Sequence, residues 1–184
     1  WGMTTLSLHE AAPGHHFQIA IKQELTDVPQ FQRFQGYTAF EEGWALYAEK
    51  IAWEAGFHSQ PMDNLGRLKD ELLRSVRLVV DTGLHQKRWT REYAIDYLIA
   101  NTGITKSEAV SEIERYIVNP GQATAYKVGM MKILALRDKA KAVLGKKFDI
   151  KAFHTAVLEN GALPLGVLER QIEQYISKHS QPEI

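Results

Sequence analysis

From Thr38 almost to the end of the chain, apolar side chains return every three or four positions, and this spacing leaves little open to the chain but a helical bundle. Phe40, Trp44, Leu46, Tyr47 and Ile51 mark a helix over 38–55, ended by Gly56. Leu65, Leu68, Leu72, Leu73, Val76 and Val80 mark a second over 62–85. Thr90 opens a third, with Tyr93, Ala94, Tyr97 and Leu98 on one side and Gly103 at its close. Thr105 and Glu108 have the spacing of a capping box that starts a fourth, which ends before Pro120. A fifth runs over 121–144 to Gly145, and Asp149 caps a sixth over 150–159. Pro164 leads the seventh through Leu168, Ile172 and Ile176. No alternating run with a hairpin turn occurs. The expected fold is all-α: one helical domain over 1–184, built from about seven helices.

Composition narrows the function. The 22 Lys and Arg cancel the 22 Asp and Glu, so there is no basic surplus to neutralise nucleic-acid phosphates or an anionic membrane surface. No apolar run reaches the roughly 18 residues of a transmembrane helix. Cysteine is absent, which excludes disulfides, thiolate nucleophiles and sulfur-ligated zinc. Any transition metal must therefore sit on imidazole and carboxylate.

Two segments carry those groups. In the first, Leu8-His9-Glu10-Ala11-Ala12-Pro13-Gly14-His15-His16, three imidazoles and a carboxylate crowd a stretch of small residues. Neutral imidazole is a good zinc ligand, and a carboxylate beside it can deprotonate a metal-bound water. The zinc-protease helix H-E-x-x-H needs a gap of four; here the gaps from His9 are six and seven. On a straight helix His16 would lie about 10 Å from His9, too far to share an ion. Pro13 clashes with the carbonyl of residue 9 and breaks that helix. With Gly14 beside it, the chain can bulge two residues outward and return an imidazole to the ion. His15 then takes the second ligand position, with His16 its competitor. The second segment is Phe40-Glu41-Glu42-Gly43-Trp44-Ala45-Leu46-Tyr47-Ala48-Glu49. Glu42 lies among aromatic and small residues, where a carboxylate needs a partner or a metal. Glu41 reads as a solvated residue favoured by the helix dipole.

These strings, together with R-L-V-V-D-T-G-L-H, G-Q-A-T-A-Y-K-V-G and F-H-x-x-V-L-x-x-G-A-L-P-L, resemble the bacterial family called domain of unknown function 885. Its members are much longer, and this chain looks like their C-terminal, active-site part, with the missing N-terminal part as a partner. The family is similar to helical zinc peptidases of the gluzincin type, including carboxypeptidase Taq and relatives of angiotensin-converting enzyme. The resemblance implies a zinc site of His9, His15 and Glu42, with Glu10 as the general base. It also implies a peptide substrate and favours an extracytoplasmic location.

Tyr126 stands where those peptidases aim a tyrosine at the developing oxyanion; a half-buried core tyrosine is the alternative. Arg77, Asp81 and His85 recur every four residues. Arg77 and His85 could bind substrate by neutralising a peptide carboxylate, or the three could form an exposed ion-pair ladder. Trp44 and Trp53 read as core, His154 as packed against neighbours and His58 as surface. The expected activity is zinc-dependent hydrolysis of peptide bonds. The alternative is a non-catalytic helical module that keeps the peptidase shape and binds a peptide or partner.

Overall fold

The structure, a computed structural model, describes residues 2–180; Trp1 and residues 181–184 of the expected domain lie outside them. In chain order the helices are α1 (Met3–Glu10), α2 (His15–Glu24), α3 (Gln30–Phe34), α4 (Thr38–Glu54) and α5 (Pro61–Lys87). They continue as α6 (Arg91–Thr102), α7 (Lys106–Val118), α8 (Gln122–Leu144), α9 (Ile150–Leu158) and α10 (Leu165–Ser180). A 3₁₀ turn (Gly145–Lys147) follows α8, and no strand occurs among the described residues. The fold is all-α.

The seven helices read from apolar spacing are α4 to α10, and local chemistry sets their ends. The Thr90 hydroxyl accepts the Tyr93 N–H at 3.2 Å, and both halves of the Thr105–Glu108 capping box are made. Gly103 ends α6 at φ +68°, a conformation glycine adopts without cost. The expected count of about seven falls short because α1, α2 and α3 precede them. Helix α1 buries Thr5 and His9, while α2 buries Gln18 and Lys22. Met3, Leu6, Phe17 and Ile19 on the same two helices are exposed. Helices that bury polar groups and expose apolar ones carry no amphipathic signature.

Two apolar cores hold the rest. One joins α4, α8, α9 and α10 around Phe40, Trp44, Tyr47, Ile133, Phe153 and Leu168. The other joins α5, α6 and α7 around Val80, Leu98, Ile113 and Tyr116, and takes in Ala123 from the start of α8. Helices α4 and α8 touch backbone to backbone. A Cβ on Gly43 would lie 2.4 Å from Gly129 Cα, and one on Gly129 would lie 1.8 Å from the Ala39 carbonyl oxygen. Trp44 is core, as expected. Trp53 is not: it is 41% exposed at the last turn of α4, with the Arg67 guanidinium 5.1 Å from its ring. Among the described residues no helix is long and apolar enough to cross a membrane.

Candidate metal centre

The histidine segment does not bulge out of one helix. It breaks into two, with α1 ending at Glu10 and α2 starting at His15. Gly14 makes the return possible. A Cβ there would meet the His9 carbonyl oxygen at 1.8 Å, so only a glycine lets the chain fold back onto the end of α1. The Pro13 carbonyl accepts a 2.9 Å hydrogen bond from Trp44 Nε1, which ties the break to α4 two residues beyond Glu42. His15 then faces His9 edge to face, with ring centroids 4.8 Å apart. His16 is exposed.

His9, His15 and Glu42 offer three ligand atoms within 4.8 Å of one another. Glu42 Oε2 lies 3.1 Å from His15 Nε2 and 3.7 Å from His9 Nε2. Ligands of a tetrahedral ion with bonds near 2 Å stand about 3.3 Å apart; the two Glu42 spacings are near that value, and the His9–His15 edge, within 4.8 Å, would close somewhat around one zinc. The donor set, two imidazoles and a carboxylate, is borderline-soft and suits zinc better than magnesium or calcium. Burial alone would raise the Glu42 pKa. Hydrogen bonds from His15, His9 and Tyr126 overcome it and hold the carboxyl down near 2. The Glu42 carboxylate keeps its negative charge.

Behind this triangle stands a residue that the sequence did not single out. Glu49, 1% exposed, accepts from His9 Nδ1 at 2.7 Å and from the Thr5 hydroxyl at 3.4 Å. A carboxylate on Nδ1 fixes the ring so that Nε2 faces the triangle. Burial would lower the His9 pKa, but hydrogen bonds to Glu42 and Glu49 outweigh it and push it up to about 9. Glu49 lies seven residues after Glu42, on the same face of α4. Two acids on one face of an otherwise buried helix was the signal that could have found it. Thr5 in turn lies 3.4 Å from His58 Nε2, and His58 is half-buried rather than surface.

The other expected residues divide. Tyr126 is buried on α8; its ring stacks on His9 at 6.4 Å and its hydroxyl accepts from Gln122 at 3.2 Å. Glu10 ends α1 and is exposed, next to His9 in sequence. Arg77, Asp81 and His85 form neither a free cleft wall nor a ladder, because each has its own partner. Arg77 pairs with Glu112 at 2.7 Å and donates to the Tyr116 hydroxyl at 2.8 Å. Asp81 accepts the Gly121 N–H at 3.0 and 3.1 Å, capping the start of α8. His85 Nε2 lies 2.9 Å from the Tyr116 carbonyl. Arg77 meets the centre only through Tyr126, whose ring its guanidinium approaches at 5.3 Å. His154 packs as expected, with Nε2 2.8 Å from the Tyr47 hydroxyl and its ring edge-on to Trp44.

A helical chain with a partly buried two-histidine, one-carboxylate cluster is the class these features define. The chain belongs to a family of bacterial proteins of unknown function, DUF885, which it matches over residues 1–172. It is similar to the solved structure of a candidate lipoprotein from Colwellia psychrerythraea, at 54% identity and a TM-score of 0.92, covering 95% of this chain and 30% of that one. A candidate lipoprotein of unknown function from Shewanella oneidensis is also similar, at 30% identity and a TM-score of 0.87, covering 94% of this chain and 32% of that one. The chain thus spans about a third of the length of these relatives. No curated protein matches it.

Proposed function

We propose that this chain carries the active centre of a zinc-dependent hydrolase of peptide bonds, related in mechanism to the gluzincin peptidases. The observation that carries the reading is the convergence of ligand atoms of His9, His15 and Glu42 within 4.8 Å of one another, with Glu49 orienting His9 from behind. Zinc held there would supply a Lewis acid for the scissile carbonyl and a lowered pKa for a coordinated water. The protein's own groups do the rest. Glu10, adjacent in sequence to His9, takes the proton from the attacking water and passes it to the leaving amine. Tyr126 donates its hydroxyl proton in a hydrogen bond to the oxyanion as charge develops. Glu49 keeps His9 in the tautomer that presents Nε2, and the close approach of Gly43 and Gly129 fixes Glu42 against Tyr126.

Metal content of the full-length protein tests the first half of this reading, with about one tightly held zinc per chain expected. Glu10→Gln keeps the metal and lowers peptide hydrolysis by about 10² or more, because the acceptor that activates water is gone. Unchanged turnover would remove Glu10 from the mechanism. The second reading, a non-catalytic module that binds a peptide or partner, is favoured by one feature. The His9–Glu49 and His15–Glu42 hydrogen bonds satisfy the cluster without any metal. A protein that takes up no zinc at neutral pH would establish that reading instead. The description of both solved relatives as candidate lipoproteins supports an extracytoplasmic site of action.

A further inference from the structure

The back of α4 borders a trough that the chemistry proposed above does not use. Trp44 and Ile51 follow Glu42 and Glu49 by two residues each, about 200° around the helix, so they point away from the metal cluster. Two cavities open there. One, of about 440 Å³, lies against Ala52, Ala55, Phe57, Phe148 and Ile150. The other, of about 560 Å³, lies against Phe17, Ile21, Leu25, Trp44 and Leu158. Pro13, Ile51 and His154 line both, so the two run into one another along α9. Each has the volume of a small-molecule site. The apolar walls reach water: Phe17 is 42% exposed and Phe57 is 67% exposed.

The polar side chains along the trough are tied to one another. Trp44 Nε1 donates to the Pro13 carbonyl, and His154 Nε2 lies 2.8 Å from the Tyr47 hydroxyl. Arg137 donates to that hydroxyl at 3.3 Å and pairs with Glu54 at 2.6 Å. The interior therefore offers a ligand apolar contact, and free charge stands at the rim. That charge is uneven. In the smaller cavity Arg137 and Lys141 face Glu54 alone, a surplus of one cation, whereas Lys151 and Glu159 cancel in the larger. Lys141 is exposed and forms no ion pair among the described residues; its Nζ stands 5.7 Å from the centre of the Phe148 ring.

We propose that this trough binds a small amphiphile with an anionic head, a fatty acid being the simplest, with its carboxylate at Lys141 and its chain running past Pro13, Ile51 and His154 toward Leu25. A cation at one end of apolar walls selects that polarity. The chain gains from leaving water, and the carboxylate gains a charge-assisted bond at the rim. The assignment stands apart from the hydrolase reading, since it uses neither the metal cluster nor Glu10.

Calorimetry on the full-length protein tests it, with decanoate, octanoate and decan-1-ol each kept below the concentration at which it aggregates. Decanoate should bind at one molecule per chain. Octanoate should bind about 10-fold more weakly, the loss expected for two methylenes no longer buried. Decan-1-ol should bind about 5-fold more weakly than decanoate, the scale of one ion pair at a rim. Thr155 is exposed and lines the larger cavity, so Thr155→Trp should fill it and weaken both ten-carbon ligands at least 10-fold. Lys141→Gln, at another exposed position, should bring decanoate down to the level of the alcohol and leave the alcohol unchanged. No decanoate binding, as a trough already covered in the full-length protein would give, overturns the proposal. Equal affinity for decanoate and decan-1-ol overturns the anionic head. Decanoate binding that survives both Thr155→Trp and Lys141→Gln but falls in Glu42→Ala puts the carboxylate at the metal cluster and overturns the site.

Discussion

Residues 3–34 and the helices from α4 onward are built on opposite terms. The later helices bury Leu, Ile, Val and aromatic faces, an attraction that is strong but without direction. The first two helices bury the polar Thr5, His9, Gln18 and Lys22, and three of these are met by named partners. His9 and Thr5 meet Glu49, and Lys22 meets Glu41 at 2.8 Å and the Gln35 carbonyl at 3.3 Å. Apolar packing fixes where α4 lies; polar pairing fixes where His9 and His15 lie on it. A site that could hold a metal needs the second kind of precision, and His9 and His15 are set by it.

The two glycine contacts separate these regions most sharply. Gly129→Ala forces α8 away from the Ala39 carbonyl, with no flexible side chain to yield. It should lower stability by about 3 kcal/mol or more, seen as a large fall in Tm. Gly14→Ala pushes α2 off the His9 carbonyl instead. It should weaken zinc binding at least 10-fold, by about the loss that follows when a ligand is mis-set, while Tm moves far less. Equal losses of Tm in the two variants would refute the division.

A smaller effect tests the scaffold's own polar exception. Burial, and then the Arg137 charge, depresses the His154 pKa to about 4 from an ordinary 6.5. Between those values the unfolded chain binds a proton that the folded one does not. Stability is therefore full above about pH 6.5 and falls as the solution is acidified toward pH 4. His154→Phe should flatten that slope in urea melts of metal-free protein at pH 7 and pH 4.5; an unchanged slope would assign the acid sensitivity elsewhere. The smallest change concerns Gln18, 1% exposed, with both amide atoms buried and unpartnered among the described residues. Gln18→Met should raise stability by about 1 kcal/mol, seen as a higher urea midpoint, because an unsatisfied amide is exchanged for an apolar group of similar length. A lowered midpoint would mean that Gln18 does meet a polar partner, such as a trapped water.

What could be read from the sequence follows the same line. Every helix that buries an apolar stripe was visible, with its caps at Thr90, Thr105 and Asp149, because spacing records burial. Helices α1 and α2 were not visible, since spacing of apolar residues cannot report helices that bury polar ones. The grouping of His9, His15 and Glu42 was legible from residue chemistry and from Pro13-Gly14, although the break proved to be two helices and not a bulge in one. Glu49 was missed because a buried acid and a solvated one look alike in a string of letters. Arg77 was read as a substrate group for the same reason: only the fold reveals that Glu112, from α7, already neutralises it.

Helix α8 belongs to both cores: Ala123 packs with α5, α6 and α7, while Tyr126 and the turns beyond it pack with α4 and α10. Asp81 clamps the Gly121 N–H at its first turn. This gives the protein a hierarchy of opening. If the α5–α6–α7 unit loosens first, the start of α8 frays and Tyr126 loses its aim, while Glu42 and Glu49 stay locked in α4. On the hydrolase reading proposed above, the centre would then hold its ion after it had ceased to turn over. Amide exchange should accordingly be faster at residues 121–124 than at residues 42–49, and warming should silence the protein before it empties it.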